Sequence, residues 1–582
     1  MDERRNFIIA MLLMGLILFG WPYVAERFFP AEKSVAEAPA ASATTASQGP
    51  KAALPQSDAP AAPATVRSVS AVLAEGGRIK VRTPKLDGSI NLKGARIDDM
   101  LLTRYRSDIA KNSPSVRLLS PAGTRNAYYA SFGWAGTGVT LPDSNTIWQA
   151  SGAELTPGKP VILSWNNGTG QRFEIALSID EHYMITARQT VVNTGAASIG
   201  VSPYSFISRT GIPADPDSWS IHIGPMGVFN GSADYDWDYS DITDAGAKGA
   251  AFETTGGWLG FTDKYWLTAL IPDQKTPIEA KFRSGKGDIY QAQMVGNRTV
   301  LIQPGKQATQ TSRLFVGAKE TTLLDDYVDN LGVEKFDLAI DWGWYRPIEK
   351  AFFYLLHKLF EFSGNFGVAI ILLTLIIRLL MFPIAQKQFA SMAAMRAIQP
   401  KQKEIQERFK DDKQRQQQEI MKMYKEEKVN PLAGCLPIFL QIPIFFALYK
   451  LLMLTIEMRH QPFVLWLKDL SAPDTLTPVN LFGLLPFDPP GMLHIGILPI
   501  LLGVTMWVQQ KLNPAPADPV QQQVFAILPW VMMFVMAPFA AGLQLYWTVN
   551  NIVSIAQQKW LYSRHPQLKQ LAAIENSKKA GA

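Results

Sequence analysis

Arg378 is the one formal charge between Phe362 and Gln386, in a run otherwise apolar and long enough to cross a bilayer. An ionisable side chain inside a transmembrane helix costs at least ~2.5–3.5 kcal/mol on insertion scales, so it faces a bundle interior or a wet cavity and marks a pathway. Thr374 lies four residues earlier, on the same helix face. Gln441 interrupts a second apolar run, and Gln544, Asn550, Asn551 and Ser554 interrupt a later one. Such groups offer hydrogen bonds around a lone cation and line a wet cavity without a large insertion penalty. Two blander readings stand beside this one. The amides could be interhelical bonds worth ~0.6 kcal/mol each, and Arg378, only ~13 Å of helix from Lys387, could snorkel to the interface. The candidate spans hold no acidic residue to pair with Arg378, which leaves a cation available to something that arrives.

The elements that must position these residues divide the chain in two. Mean hydropathy is close to zero, an average over unlike halves. Residues 66 to about 335 have the composition of a soluble, strand-rich domain, whereas residues 362 to 558 hold several charge-poor apolar runs, the mark of membrane spans. A further run, Asn6 to Ala25, follows Arg4 and Arg5 and carries Trp21 and Tyr23 at its far end, where aromatic side chains favour the interface. It reads as an N-terminal anchor within residues 1–30. A cleavable signal peptide is the alternative, but the run exceeds the ~7–15 residues of a signal h-region and no convincing small-x-small site follows it directly. The two arginines place the N-terminus in the cytoplasm and the following domain outside, which in a Gram-negative cell is the periplasm. Cys435 is the sole cysteine, so no intrachain disulfide forms.

The later spans are expected at Phe362 to Gln386, Val429 to Tyr449, Pro489 to Gln510, and Pro519 to Gln558. The last would rise ~60 Å as one helix, twice the hydrocarbon thickness. Pro538 and Gly542 break it, giving Val524 to Ala537 and Gly542 to Gln558. The many Lys and Arg between Lys387 and Lys428, and those of the tail from 563 to 582, place both segments in the cytoplasm. Termini on one side require an even number of spans, and six satisfies this. The expected fold is therefore a polytopic α-helical membrane protein with a large all-β domain on the periplasmic side.

Between these landmarks, residues 31–65 are rich in Ala, Pro, Ser and Thr and read as a disordered linker. From Val66 the pattern alternates with period two: Ile79 and Val81, then Ile90 and Leu92 after the turn signal Asp87-Gly88, and later Phe173, Ile175, Leu177 and Ile179 after Asn166-Asn167-Gly168. The region 66–335 predicts an antiparallel β-sandwich. Its histidines, His182 and His222, stand in no catalytic or metal-ligand spacing, so the domain reads as a binding or spacing module. Residues 342–361 turn helical, with Ile348, Phe352, Leu355, Leu356 and Leu359 on one apolar stripe, the pattern of an amphipathic helix in the outer interface or of a helix packed on the β-domain. Residues 386–428 predict two cytoplasmic helices around Asp411-Asp412, with Met392, Met395 and Ile398 on one stripe and Met421 and Tyr424 on another.

Three strings carry a family resemblance: TLIIRLLMFPIAQKQFASMAAMRAIQPK from Thr374 to Lys401, YKEEKVNPLAGCLPIFLQIPIFFALY from Tyr424 to Tyr449, and GLQLYW from Gly542 to Trp547. In order and spacing they resemble the YidC membrane-protein insertase family, whose mitochondrial relatives are the Oxa proteins. The N-terminal anchor and large outer domain resemble the Gram-negative form, whose domain is a β-supersandwich. The resemblance implies an insertase and foldase core at 362–562, working alone or beside the Sec translocon and its accessory subunits on nascent membrane proteins delivered by the ribosome. It implies contact with membrane lipids, no direct contact with nucleic acid, no cofactor, no metal and no covalent catalysis. It also implies a hydrophilic groove holding a single arginine, which matches Arg378, with Thr374, Gln441, Tyr546 and Trp547 on or near it. Trp547 stands where the family often has a second tyrosine, and the loop from Pro462 to Pro490 is longer than in familiar members. A solute transporter with Arg378 as an anion site is the competing reading, but it calls for paired discontinuous helices and internal repeats that this sequence lacks. A membrane-anchored sugar-binding or sugar-processing protein would need one anchor rather than six spans.

Overall fold

The computed structural model describes residues 66–213, 221–343, 346–410, 412–427, 436–487, 489, 494–513 and 519–564. The expected anchor and linker, Cys435, and all but the first two residues of the basic tail lie outside these. The chain forms two compact units, one chiefly of residues 35–342 and one chiefly of residues 343–582.

The first unit is two large sheets. One runs from Ala250–Thr255 at an edge through Pro277–Gly285, Ile289–Gly296, Ile199–Thr210, Tyr128–Thr137, Arg96–Arg106, Leu86–Asn91 and Arg78–Arg82 to Glu154–Leu155, and only the last pairing is parallel. The other centres on the long antiparallel pair Met184–Asn193 and Lys306–Ala318. Strand Gln171–Ile179 shows why the sequence folds this way: Phe173, Ile175, Leu177 and Ile179 all point into the core, as period-two alternation requires. Its turn is built as expected, with Gly168 at φ 76° and the Asn167 side-chain oxygen accepting from the Thr169 and Gln171 N–H groups.

The first hairpin departs from expectation. Asp87 and Gly88 are strand residues, paired with Arg82 and Val81, and the turn is Thr83-Pro84-Lys85, whose Thr83 hydroxyl accepts from the Lys85 and Leu86 N–H groups. Gly88 answers a different demand. A Cβ there would lie 2.0 Å from the Asp99 carbonyl oxygen on the next strand, so the glycine permits close approach rather than a turn. The histidines of this unit serve local structure, His222 bonding the Pro225 carbonyl and His182 sitting in a turn closed by Asp180.

The second unit is helical: α1 (Arg346–Ser363), α2 (Phe366–Leu380), α3 (Phe382–Ala397), α4 (Gln399–Arg408), α5 (Lys413–Glu426), α6 (Leu436–Leu454), α7 (Ile497–Leu512), α8 (Pro519–Met536) and α9 (Ala541–Arg564). Among the described residues no single helix is long and apolar enough to cross a membrane, but α2 and α3 together pass that test while bending by 66°. The expected span to Gln386 is thus bent at Met381, where Pro383 in the first turn of α3 removes the backbone donor that would continue the ladder. Helix α1 buries Glu349, Phe353 and Leu356; of the apolar stripe only Leu356 is buried, and Ile348 is exposed. The turn between α4 and α5 falls where Asp411-Asp412 predicts, with Asp412 capping α5 through its bond from the Arg415 N–H. Within this hairpin Ile398, Ile420 and Met423 cluster, whereas Met421 is exposed. The break between α8 and α9 also falls as expected, and Gln544 explains its shape: its amide nitrogen donates to the Met536, Ala537 and Phe539 carbonyls that the break leaves without helical partners.

Candidate functional site

A cavity of about 490 Å³ opens within the helical unit, and Arg378 is the one charged residue among the described residues that line it. Helix α2 places it there because Asn365 caps the helix start, accepting from the Val368 N–H, and because Gly367, Ile370 and Ile377 are buried while Leu375, Leu379 and Leu380 face outward. That division leaves the guanidinium half-buried at the cavity wall.

The adjoining wall comes from α9. Asn550, Asn551 and Ser554 line the cavity with Tyr546 and Trp547, one turn apart on a helix face that is buried for most of its length. Arg378 Nε donates to Asn550 Oδ1 at 2.7 Å. Ser554 does not add a free hydroxyl, since it donates to the Asn550 carbonyl at 2.7 Å. Asn551 reaches α7, its amide nitrogen donating to Thr505 Oγ1 at 3.2 Å.

Helix α6 contributes Gln441, whose Nε2 donates to the Tyr546 hydroxyl at 2.8 Å, and Phe445, whose ring lies 5.0 Å from that of Trp547. Gln441, Tyr546, Trp547 and Arg378 therefore line one cavity. Thr374 does not line it. Its hydroxyl donates to the Ile370 carbonyl at 2.7 Å within its own helix, the usual satisfaction of a buried mid-helix threonine.

The sequence did not flag Gln388 of α3, Gln509 and Gln510 of α7, or Asn513 just beyond it, all of which line the cavity. They flank charged residues at the ends of apolar runs, where polar side chains read as solvated termini. The signal that marks them is chemical likeness: with Gln441, Asn550 and Asn551 they give the wall seven carboxamides and no carboxylate among the described lining residues. Phe389 and Met392 of α3 close one side. They also pack with Ala385, Ala393 and Tyr562, so α3 is held against the end of α9. Arg396 adds a bond to the Leu512 carbonyl at 3.3 Å and lies 6.0 Å from the centre of the Tyr562 ring.

This arrangement sets one cation and seven carboxamides within a lining that is otherwise largely apolar. Carboxamides both donate and accept, so they satisfy either half of a peptide group. No group of three His, Cys, Asp or Glu side chains that could hold a metal stands together among the described residues.

Two family models match the chain: 60Kd inner membrane protein over residues 358–569 and YidC periplasmic domain over residues 78–355. A membrane protein insertase YidC of Zymomonas mobilis subsp. mobilis is 49% identical over 97% of this chain and 96% of its own. One of Methylobacterium radiotolerans is 43% identical over 97% and 95%. A solved structure of an active YidC insertase matches 83% of this chain and 92% of its own at 17% identity and a TM-score of 0.36, too loose a likeness to add to this. With matched regions that together span the β-sheet unit and the helical unit, the chain belongs to the YidC family of inner-membrane insertases with a periplasmic domain.

Proposed function

We propose that this chain moves newly made membrane proteins into the inner membrane, and assists their folding, through the cavity that Arg378 lines. One observation carries this reading: a lone cation and seven carboxamides share a cavity with no carboxylate among its described lining residues. A substrate's polar outer tail must cross an apolar barrier in which unsatisfied backbone groups are costly. A wet cavity reaching partway shortens the dry distance, and amide side chains replace water along it. Arg378 holds acidic residues of the tail transiently. Apolar substrate segments then leave sideways into lipid, driven by their own transfer free energy.

The reading includes six spans with both termini cytoplasmic. Support comes from the basic residues of 387–428 and of the tail, which follow the positive-inside bias, and from the helices found at each apolar run after residue 345. It also includes work alone or beside the Sec translocon, with substrates arriving from the ribosome, and no covalent step. Depletion of the protein followed by protease protection of newly made small membrane proteins tests it. Tails of some substrates should become trapped on the cytoplasmic side; unchanged insertion of every substrate would overturn the reading.

A further inference from the structure

The long connection between α6 and α7 has a folded root and a bare tip. At the root, Phe463 packs so closely on α2 that a Cβ on Gly367 would lie 2.1 Å from its ring. Asp474 is buried and accepts from Trp466 Nε1 at 3.0 Å and from the Leu498 N–H at the start of α7 at 2.8 Å. The Ala472 and Leu470 carbonyls accept from the Ala541 and Gly542 N–H groups at the start of α9. The connection is thus fastened to the starts of α2, α7 and α9, and on α2 and α7 these are the opposite ends from Arg378 and Asn513 at the cavity.

Beyond Asp474 the sequence TLTPVNLFGLLPF, Thr475 to Phe487, carries no charge. Leu481, Phe482 and Leu484 are 52%, 53% and 80% exposed, and Leu485 and Phe487 are exposed beside them. A contiguous apolar patch of this kind marks an interaction surface. The backbone says which kind. Leu481 and Phe482 have φ of 50° and 60° and Gly483 86°, a left-handed run unusual for bulky side chains, and it curls the chain onto itself. As a result every backbone N–H from Leu481 to Phe487 donates within the loop: Phe482 to the Thr477 carbonyl, Gly483 to Asn480 Oδ1, Leu485 to the Asn480 carbonyl. A loop in water has no need of this, because water serves its donors. A loop entering a lipid interface does.

We propose that residues 475–487 form an apolar finger that seats in the lipid of the membrane leaflet on the side opposite the cavity, continuous with the lipid-facing surfaces of the helices to which its root is fastened. The proposal rests on the membrane topology given above. The charge-free run and the self-satisfied donors commit it to lipid rather than to a protein edge, which would draw on free backbone groups.

The test uses the full chain with Cys435→Ser, reconstituted alone into phosphatidylethanolamine–phosphatidylglycerol vesicles and labelled with an environment-sensitive fluorophore at Leu484→Cys or Leu481→Cys. Val504→Cys on α7 reports a membrane helix and Ile147→Cys the β-domain. The finger labels should emit at shorter wavelength than the Ile147 label, be quenched by spin-labelled phospholipid, and resist iodide. Iodide quenching equal to that at Ile147, with Val504 still quenched from lipid, would overturn the finger and leave the membrane reading intact. Protection from both quenchers would mean a protein cover, and would overturn it too. Absence of lipid quenching at Val504 would instead sink the topology itself. As a label-free check, a photoactivatable phospholipid should cross-link to the loop, and Leu481→Asp with Leu484→Asp should lose that product while the rest of the chain still cross-links.

Discussion

Arg378 Nε and Asn550 Oδ1, 172 residues apart in sequence, lie 2.7 Å apart and join α2 to α9 at the cavity wall. The bond uses one donor of a guanidinium that has five, so most of the cation's hydrogen-bonding capacity stays free of Asn550. Arg378→Lys should retain substantial insertion. Arg378→Ala should fail most on tails that bear acidic residues, by about tenfold if the attraction contributes about 1.4 kcal/mol. Equal failure of Lys and Ala would reveal a need for the planar guanidinium. Protease protection of one acidic-tailed and one neutral-tailed substrate, at matched abundance, separates these results.

Asn550→Asp tests the same pair from the other side. It would place a carboxylate against Arg378 in a low-dielectric wall, and the mutual attraction should tie up the cation. Insertion of acidic tails should fall toward the Arg378→Ala level while neutral tails pass. Full activity on acidic tails would mean that the cation's charge is not what the tail meets.

The hairpin of α4 and α5 is expected to receive substrates rather than to hold the bundle. Its own core is small, Ile398, Ile420 and Met423 with Ile405 and Tyr424 beside them. Deleting residues 399–427 while keeping α3 should impair insertion and leave the protein in the membrane at normal abundance. The deletion must stop short of Met392, which packs with Phe389 and Tyr562. Loss of the protein from the membrane would make the hairpin structural.

The described residues that line the cavity all lie after Glu361, so removal of residues 66 to about 320 with α1 kept should leave insertion working. Membrane fractions and the same protease assay would show it. Failure at normal abundance would assign the β-domain a direct role.

Within that domain Lys319 is fully buried, donates to Thr262 Oγ1 at 2.9 Å, and is pushed down to about 8 by burial, against the opposing pull of Asp263 and Asp341. Its folded value lies below its unfolded one, so burying the charge costs most below pH 8 and the cost fades as pH climbs toward the unfolded range. At about 1.4 kcal/mol per unit the span is roughly 3 kcal/mol. Buried tyrosines such as Tyr128 and Tyr239, pushed up by burial, act in the opposite direction near pH 10 and above. Urea unfolding of wild type and Lys319→Met from pH 7 to 9.5 separates the two: wild type should gain on the variant as pH rises. A constant difference would refute the shifted lysine.

Alternation and turn chemistry made strands such as Phe173 to Ile179 legible. Gly88 was misread because a glycine required by a neighbouring strand looks, in one sequence, like a glycine required by a turn. In the helical unit the charge-free runs located the helices, and Arg378, Gln441, Tyr546 and Trp547 share one cavity. Thr374 was drawn in by helix face and by the family resemblance, neither of which reveals that a hydroxyl is already satisfied by its own backbone. Gln509, Gln510 and Asn513 stayed hidden because the far side of a cavity is set by how helices lean together, and no period within one helix records that.

The 66° bend after α2 also bears on how a cation with no acidic partner among the described residues persists in an apolar helix. Because the helix ends at Met381, Arg378 occupies its last turn, where the partial negative charge of the final carbonyls gathers. Such a terminus stabilises a cation by about 0.3–1 kcal/mol, and up to ~2 kcal/mol in partly buried geometry. That offsets a good part of an insertion cost of ~2.5–3.5 kcal/mol. A straight helix through Gln386 would have placed the same arginine in mid-ladder and withdrawn that support, so the kink lets the cavity keep a positive charge without an acidic partner that would neutralise it.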